Sequence, residues 1–284
     1  EEYASGYFET RFILEKLKEY GFDEAEIVNL PVRGEKTWDA EEAELWVVEP
    51  VKKKIADLKE IPTVLCSGSA SAEVTAELVD VGRGFSEDHY KDKDLNGKIA
   101  LVYGSPEVAR RLAVEKYGAV GLIGCLSSHP EFDRDQIGWN SIRAGEKDKP
   151  TFAFMVSERT YFDLKMALER KIKIVLRARV KTQMVPYKEE MAVGLIRGTE
   201  KAGEELVLTA HLFEGFAKQG ANDNGSGCVA ILEAGRVIKK MIADGTIPPL
   251  KRSIRFLFVP EISGTRAYIQ KYPEIARRFF ANIN

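Results

Sequence analysis

Cysteine and histidine are both scarce in this chain. The three cysteines, Cys66, Cys125 and Cys228, are an odd number and form no CxxC pair. A disulfide-stapled scaffold is thereby excluded, and small core residues are the plain reading. His89, His129 and His211 are the only histidines, so any metal site must lean on carboxylates. A surplus of positive charge is missing as well. The 42 Lys+Arg against 44 Asp+Glu leave a net charge of −2, which argues against a dedicated nucleic-acid binder. No run of about 18 apolar residues occurs, so no helical membrane span is expected. There is no initiator methionine. Glu1-Glu2-Tyr3 has neither the basic start nor the apolar core of a leader peptide, so the start reads as processed or trimmed. Location stays open between export and cytoplasm.

What is present suits a globular chain of roughly two domains: 284 residues, 44 % apolar and 30 % charged. Residues 7–20 place Phe8, Phe12, Leu14, Leu17 and Tyr20 at near-helical spacing, with Gly21 as the stop. Residues 25–30 read as a strand closed by Pro31. From about residue 45, short β-like runs follow at 45–48, 76–81, 98–103, 119–124, 151–155 and 172–180. Helices intervene at 106–117 and 157–170, the second with Ser157 as N-cap. A polar loop at 127–149 holds His129, Asp133, Asp135 and Trp139; a solvated rim is expected there in preference to a second metal site. Beyond about residue 182 the pattern is strands at 190–197 and 205–210, an amphipathic helix at 226–242, a strand at 253–259 and a short helix from Thr265. The last part is β-α-β, for which parallel strands are expected. There is no internal repeat and no low-complexity segment.

Three chemical features fall at one edge of this unit. His211 directly follows the strand at 205–210. Gly220-Ala221-Asn222-Asp223-Asn224-Gly225-Ser226-Gly227 leads into the long helix, and Glu261 follows the strand at 253–259. Ligands of open α/β sheets bind outside the carboxyl ends of the strands. Imidazole nitrogen and carboxylate oxygen are normal zinc donors, and one carboxylate can bridge two ions. A further carboxylate can take a proton from water at such a centre. Each feature also has a plainer reading. A histidine after a strand is usually structural, an Asx-Gly-Ser turn usually caps its helix, and a glutamate at a strand end is usually solvated.

These residues carry a resemblance. Thr209-Ala210-His211, the run 220–227 and Leu232-Glu233-Ala234 resemble the zinc aminopeptidase family that includes aminopeptidase S and the transferrin-receptor-like carboxypeptidases. Arg255-Phe256-Leu257-Phe258-Val259-Pro260-Glu261 resembles the strand bearing that family's catalytic glutamate. Asn96–Val102 and Ala113–Ile123 are similar to a protease-associated domain. The resemblance implies an α/β fold: a mostly parallel or mixed sheet covered by helices, of the phosphorylase/hydrolase-like zinc peptidase type and incomplete, with a smaller β-rich inserted domain. The peptidase part would be discontinuous, 1–45 and 182–284, and the insert would span 46–181. His211 would be a zinc ligand, Asp223 would bridge two zinc ions, and Glu261 would be the general base. The activity implied is zinc-dependent exopeptidase action on peptides, foremost as an aminopeptidase. Carboxypeptidase or glutaminyl cyclase chemistry on the same scaffold is a further option.

The departures from that pattern matter. The family's His-x-Asp places an acid where Phe213 stands, with Glu214 one residue later. Its two adjacent glutamates are here Glu261 and Ile262. A later Asp and His of the family lie beyond the segment that Phe279–Asn284 resembles. A truncated polypeptide is therefore expected, inactive alone, with an exposed sheet edge that self-associates or takes up a missing C-terminal polypeptide. The alternative is a non-catalytic, peptidase-like binding or receptor module.

Overall fold

The computed structural model describes residues 7–31, 36–127, 129–143, 145, 147–213, 218 and 220–284. In chain order the elements are α1 (Phe8–Glu19), β1 (Glu24–Leu30), β2 (Lys36–Glu49), β3 (Lys53–Asp57), β4 (Ala72–Asp80), β5 (Ile99–Tyr103), α2 (Pro106–Arg110), β6 (Gly121–Cys125), β7 (Phe152–Met155), α3 (Glu158–Glu169), β8 (Val175–Pro186), β9 (Glu189–Ile196), β10 (Lys201–Phe213), α4 (Gly227–Ala243), β11 (Arg252–Pro260), α5 (Gly264–Lys271), α6 (Pro273–Ala276) and β12 (Phe279–Ile283). The fold is mixed α/β, with two mixed sheets and their helices.

The chain forms two compact units. One draws on both flanks, up to Thr37 and from Val185 onward apart from Lys218; the other holds Trp38–Met184 together with Lys218. The boundaries expected at 45/46 and 181/182 fall inside β2 and β8, which run continuously across them.

In the flank unit five strands lie in the order β1-β9-β11-β10-β12. β9 runs antiparallel to β1 and β11, whereas β10 is parallel to both β11 and β12. The β10-α4-β11 crossover thus joins parallel strands, as its spacing requires. Alternate residues of β11 serve opposite faces. Phe256 and Phe258 pack with Ile13 and Leu17 of α1 and Cys228 and Leu232 of α4, while Leu257 and Val259 pack with Val28 of β1 and Ala267 and Tyr268 of α5. Both faces are covered, which is why β11 reads as a nearly continuous apolar run.

α1 corrects one expectation. Its buried residues are Thr10, Ile13 and Leu17, while Phe8 and Phe12 are exposed and stack on each other. The steps of three and four from Thr10 define the inward face. Thr10 can occupy that face because its hydroxyl donates to the buried Glu190 carboxylate and contacts the Tyr7 carbonyl.

The middle unit has seven strands in the order β3-β2-β8-β4-β5-β6-β7. β4 through β7 are mutually parallel, whereas β2/β3 and β4/β8 are antiparallel. Ser157 caps α3 as expected, its Oγ accepting from the Thr160 N–H at 3.2 Å. The length of β2 and the existence of β3 were not expected. β2 carries Glu41, Glu42 and Glu44, which look like a solvated charge run in sequence. Each meets a cation from a neighbouring strand: Lys181, Arg179 and Lys54. Cross-strand pairs of this kind hold a charged strand in a sheet.

All three cysteines are buried and free. Burial pushes the thiols of Cys125 up to about 11 and Cys228 up to about 12, and raises that of Cys66 as well. No helix among the described residues is long and apolar enough to cross a membrane.

Candidate metal centre

His211 lies near the carboxyl end of β10, in register with Val259 of β11. Its main-chain oxygen accepts from the Cys228 thiol at 3.3 Å, which ties the strand end to the first turn of α4. The side chain is 18 % exposed. Nε2 lies 2.9 Å from Asp223 Oδ1, and Nδ1 lies 3.4 Å from the Phe213 carbonyl oxygen.

Asp223 is carried by the turn that precedes α4. Gly220 opens this turn with φ 61°, a left-handed conformation that favours glycine. Its carbonyl accepts from Gly225 N–H at 2.7 Å. Asn224 Oδ1 accepts from Gly227 N–H at 3.1 Å, and a Cβ at Gly227 would sit 2.1 Å from that oxygen. Ser226 Oγ donates back to the Asn222 carbonyl at 2.6 Å. The peptide bond between Asp223 and Asn224 is cis. The capping reading of this sequence therefore applies to Asn224. The Asp223 carboxylate is 73 % exposed and turned to His211.

Glu261 sits two residues beyond Val259, just past β11. Its main-chain oxygen accepts from Ser263 N–H at 2.6 Å. Ile262 follows with φ 61° and is 93 % exposed, an uncommon conformation for a β-branched residue. The structure thus brings His211 and Asp223 together and leaves Glu261 at the neighbouring strand end. Among the described residues no set of three or more His, Cys, Asp or Glu side chains is gathered to hold a metal ion. Glu214 lies outside the described residues.

The donor chemistry nevertheless fits a cation at this pair. A neutral imidazole carries one N–H, yet both ring nitrogens of His211 face oxygen acceptors. That arrangement suits an imidazolium, or an imidazole that shares a cation with the carboxylate. The Phe213 carbonyl can orient the ring through Nδ1. The Phe213 side chain packs on Tyr7 with ring centroids 4.4 Å apart, which fixes the end of β10. Sequence reasoning missed this carbonyl, because a main-chain acceptor leaves no residue-type signal. The polar loop carries a different pattern. His129 faces Glu131 at 3.3 Å, and Asp135 is bound by Arg159 at 2.7 and 3.0 Å.

Comparisons with known proteins bear on the fold that carries these residues. Residues 192–280 match the family model described as Peptidase family M28. The chain is 26 % identical over 259 residues to carboxypeptidase Q of Xenopus laevis, covering 87 % of this chain and 52 % of that protein. Among solved structures it is similar to a peptidase M28 precursor from Shewanella amazonensis. That likeness has a TM-score of 0.73 and 18 % identity, with 96 % of this chain and 64 % of that one covered. It is also similar to BSAP, a zinc aminopeptidase from Bacillus subtilis, with a TM-score of 0.66, 19 % identity and coverage of 96 % and 61 %. These likenesses establish the fold. The chain spans about half of the curated relative and less than two thirds of these solved chains.

Proposed function

We propose that the flank unit belongs to a zinc-dependent exopeptidase of the M28 kind, acting foremost as an aminopeptidase. The observation that carries this reading is the pairing of His211 Nε2 with an Asp223 carboxylate that its own helix does not use as a cap. His211 and Asp223 would hold the metal, and the two oxygens of Asp223 allow it to bridge a pair of ions. When bound, zinc supplies Lewis-acid activation of the peptide carbonyl and of water. The Phe213 carbonyl and the Cys228 thiol orient His211 through its Nδ1 and its main chain. Glu261 is the general base, its carboxylate taking a proton from the attacking water. A two-ion centre needs more donors than these three residues, so the reading assigns the rest to residues other than these. It also takes residues 46–181, within the middle unit, as an inserted protease-associated domain. Exposed Phe280 and Ile283 on the edge strand β12 support self-association or a polypeptide partner along that edge.

A non-catalytic binding module is the second reading, favoured by Phe213 and Ile262 standing at positions where the family carries acids. The two are separated with the longest natural product of the gene. The peptidase reading expects hydrolysis of leucine p-nitroanilide that a chelator stops and zinc restores, with both zinc binding and activity lost in Asp223→Ala. Retained zinc and activity in that variant would remove Asp223 from the site. Absence of zinc affinity in the unaltered protein would favour the binding module. Acetylated peptides then distinguish an aminopeptidase, which needs a free α-amino group, from a carboxypeptidase.

A further inference from the structure

We propose that the middle unit carries a binding pocket of its own, for a peptide carboxyl terminus that ends in an apolar side chain. The inference concerns Trp38–Met184 alone and does not depend on the peptidase reading.

The pocket is a cavity of about 300 Å³, in the range of small-ligand sites. It lies at the carboxyl ends of parallel strands, where open α/β sheets bind ligands. Tyr103 is the last residue of β5, and its register partner Cys125 is the last of β6. Glu158 enters from the first turn of α3, which follows β7. Four large apolar or aromatic side chains, Phe85, Tyr103, Val108 and Leu126, line it and remain exposed. Each comes from a different segment of the chain, so the wall is a tertiary feature and not a chance run of sequence.

The lining charges are not balanced. Glu158 is compensated: its Oε2 accepts from Arg134 Nε at 2.9 Å and its Oε1 from the Tyr103 hydroxyl at 3.5 Å. Arg83 lines the same cavity and makes no ion pair or hydrogen bond among the described residues. An apolar hollow with one open guanidinium at its rim suits an apolar group that bears a carboxylate, since arginine binds carboxylates in a two-pronged, charge-assisted way. Two hydroxyls at the margin point to a peptide and not a fatty acid. Ser105 Oγ donates to Asn140 Oδ1 at 2.9 Å and Ser127 Oγ donates to Gln136 Oε1. Ser105 Oγ keeps its acceptor lone pairs, and Ser127 Oγ, which accepts from the His129 N–H at 3.3 Å, keeps one; peptide N–H groups can use these and a fatty acid cannot.

The test titrates the whole 284-residue chain, with EDTA present to prevent hydrolysis, against acetyl-Ala-Ala-Leu and its carboxyl-terminal amide. Binding is read from the methyl NMR signals of Val108 and Leu126. Saturable binding of the acid is expected, with the amide weaker by about tenfold or more, as for loss of one charge-assisted contact. Arg83→Gln should weaken the acid to the level of the amide and leave the amide unchanged; because Arg83 is exposed, folding should survive. Leu126→Asp should abolish binding of both. Equal binding of acid and amide would overturn the proposal, as would an Arg83→Gln variant with unaltered acid affinity, or no saturable binding. Octanoate binding as tightly as the tripeptide would overturn the assignment to a peptide.

Discussion

Arg255→Met should destabilise the flank unit by about 3 kcal/mol, at the lower end of the cost of breaking a buried ion pair. Arg255 lies on β11 and Glu205 on β10, with side chains 4 % and 1 % exposed. The guanidinium donates to both carboxylate oxygens at 2.5 and 3.1 Å and contacts the Tyr268 hydroxyl at 3.3 Å. Without it, Glu205 stays buried, with the half-exposed Arg278 at 3.8 Å as its remaining cationic neighbour. That distance is too long for a hydrogen bond, so compensation is partial, and the cost falls near the low end. For a unit of this size the loss corresponds to roughly 6–12 °C in Tm. Replacing both partners, Glu205→Leu with Arg255→Met, removes the uncompensated charge and should recover most of the loss. Urea unfolding followed by circular dichroism measures both variants. A single variant that costs less than about 1 kcal/mol would refute the reasoning, as would a double variant no better than the single. The pair also bears on the site, because β10 and β11 carry His211 and Glu261 on their far ends. A one-residue slip between strands turns every side chain to the opposite face, and the pair anchors the register at the end where it already shifts between Lys201 and Glu205.

Ile262→Gly should stabilise the unit by about 1 kcal/mol, because glycine adopts the positive φ without strain; a lowered Tm would show that the exposed side chain has a structural role. Gly227→Ala should disturb the turn that holds Asp223, since the new Cβ would meet Asn224 Oδ1 at 2.1 Å. A cost of about 1–3 kcal/mol is expected, and an unchanged urea midpoint would count against the turn's geometry. In the middle unit, Lys54 at 2.5 Å and the Lys59 N–H at 2.9 Å hold the Asp57 carboxyl below its usual range. A depressed carboxyl gives stability that is present above its unfolded value, near 3.9, and lost as pH falls through the lower folded one. Acid unfolding should therefore be less steep below about pH 4 in Asp57→Asn; superimposable pH profiles would exclude this contribution.

Much of the flank unit was legible in sequence because its signals are local. β9, β10 and β11 alternate or run apolar, and α4 keeps Cys228, Leu232 and Gly235 on one face. The same locality made it foreseeable that His211 and Asp223 lie on one side of the sheet, since His211 stands at the carboxyl end of β10 and Asp223 in the turn that follows, before the chain re-enters the sheet. What stayed hidden depends on partners distant in the chain. The acids of β2 sit in a strand whose neighbours β8 and β3 bring cations to them. The inward face of α1 turns on Thr10, whose polarity is offset by Glu190, 180 residues away. The choice between capping and ligand roles within residues 222–226 required knowing which carboxyl or amide oxygen meets the Gly227 N–H.

One rule accounts for both candidate sites. When parallel strands are joined by helices, the chain leaves each strand at its carboxyl end through a loop, so the strand ends and these loops collect at one edge. β10 and β11 place His211 and Glu261 there, and the turn before α4 adds Asp223. β5 and β6 place Tyr103 and Cys125 at the corresponding edge of the other sheet, and the start of α3 adds Glu158. The side chains at the two edges then separate the chemistries. Where the loops bring nitrogen and carboxylate donors within 2.9 Å of each other, a cation fits. Where they bring apolar walls with one uncompensated arginine, an apolar carboxylate fits. The antiparallel strands β1, β9, β2 and β3 contribute cover, register and edge protection, which explains why none of the candidate site residues comes from them.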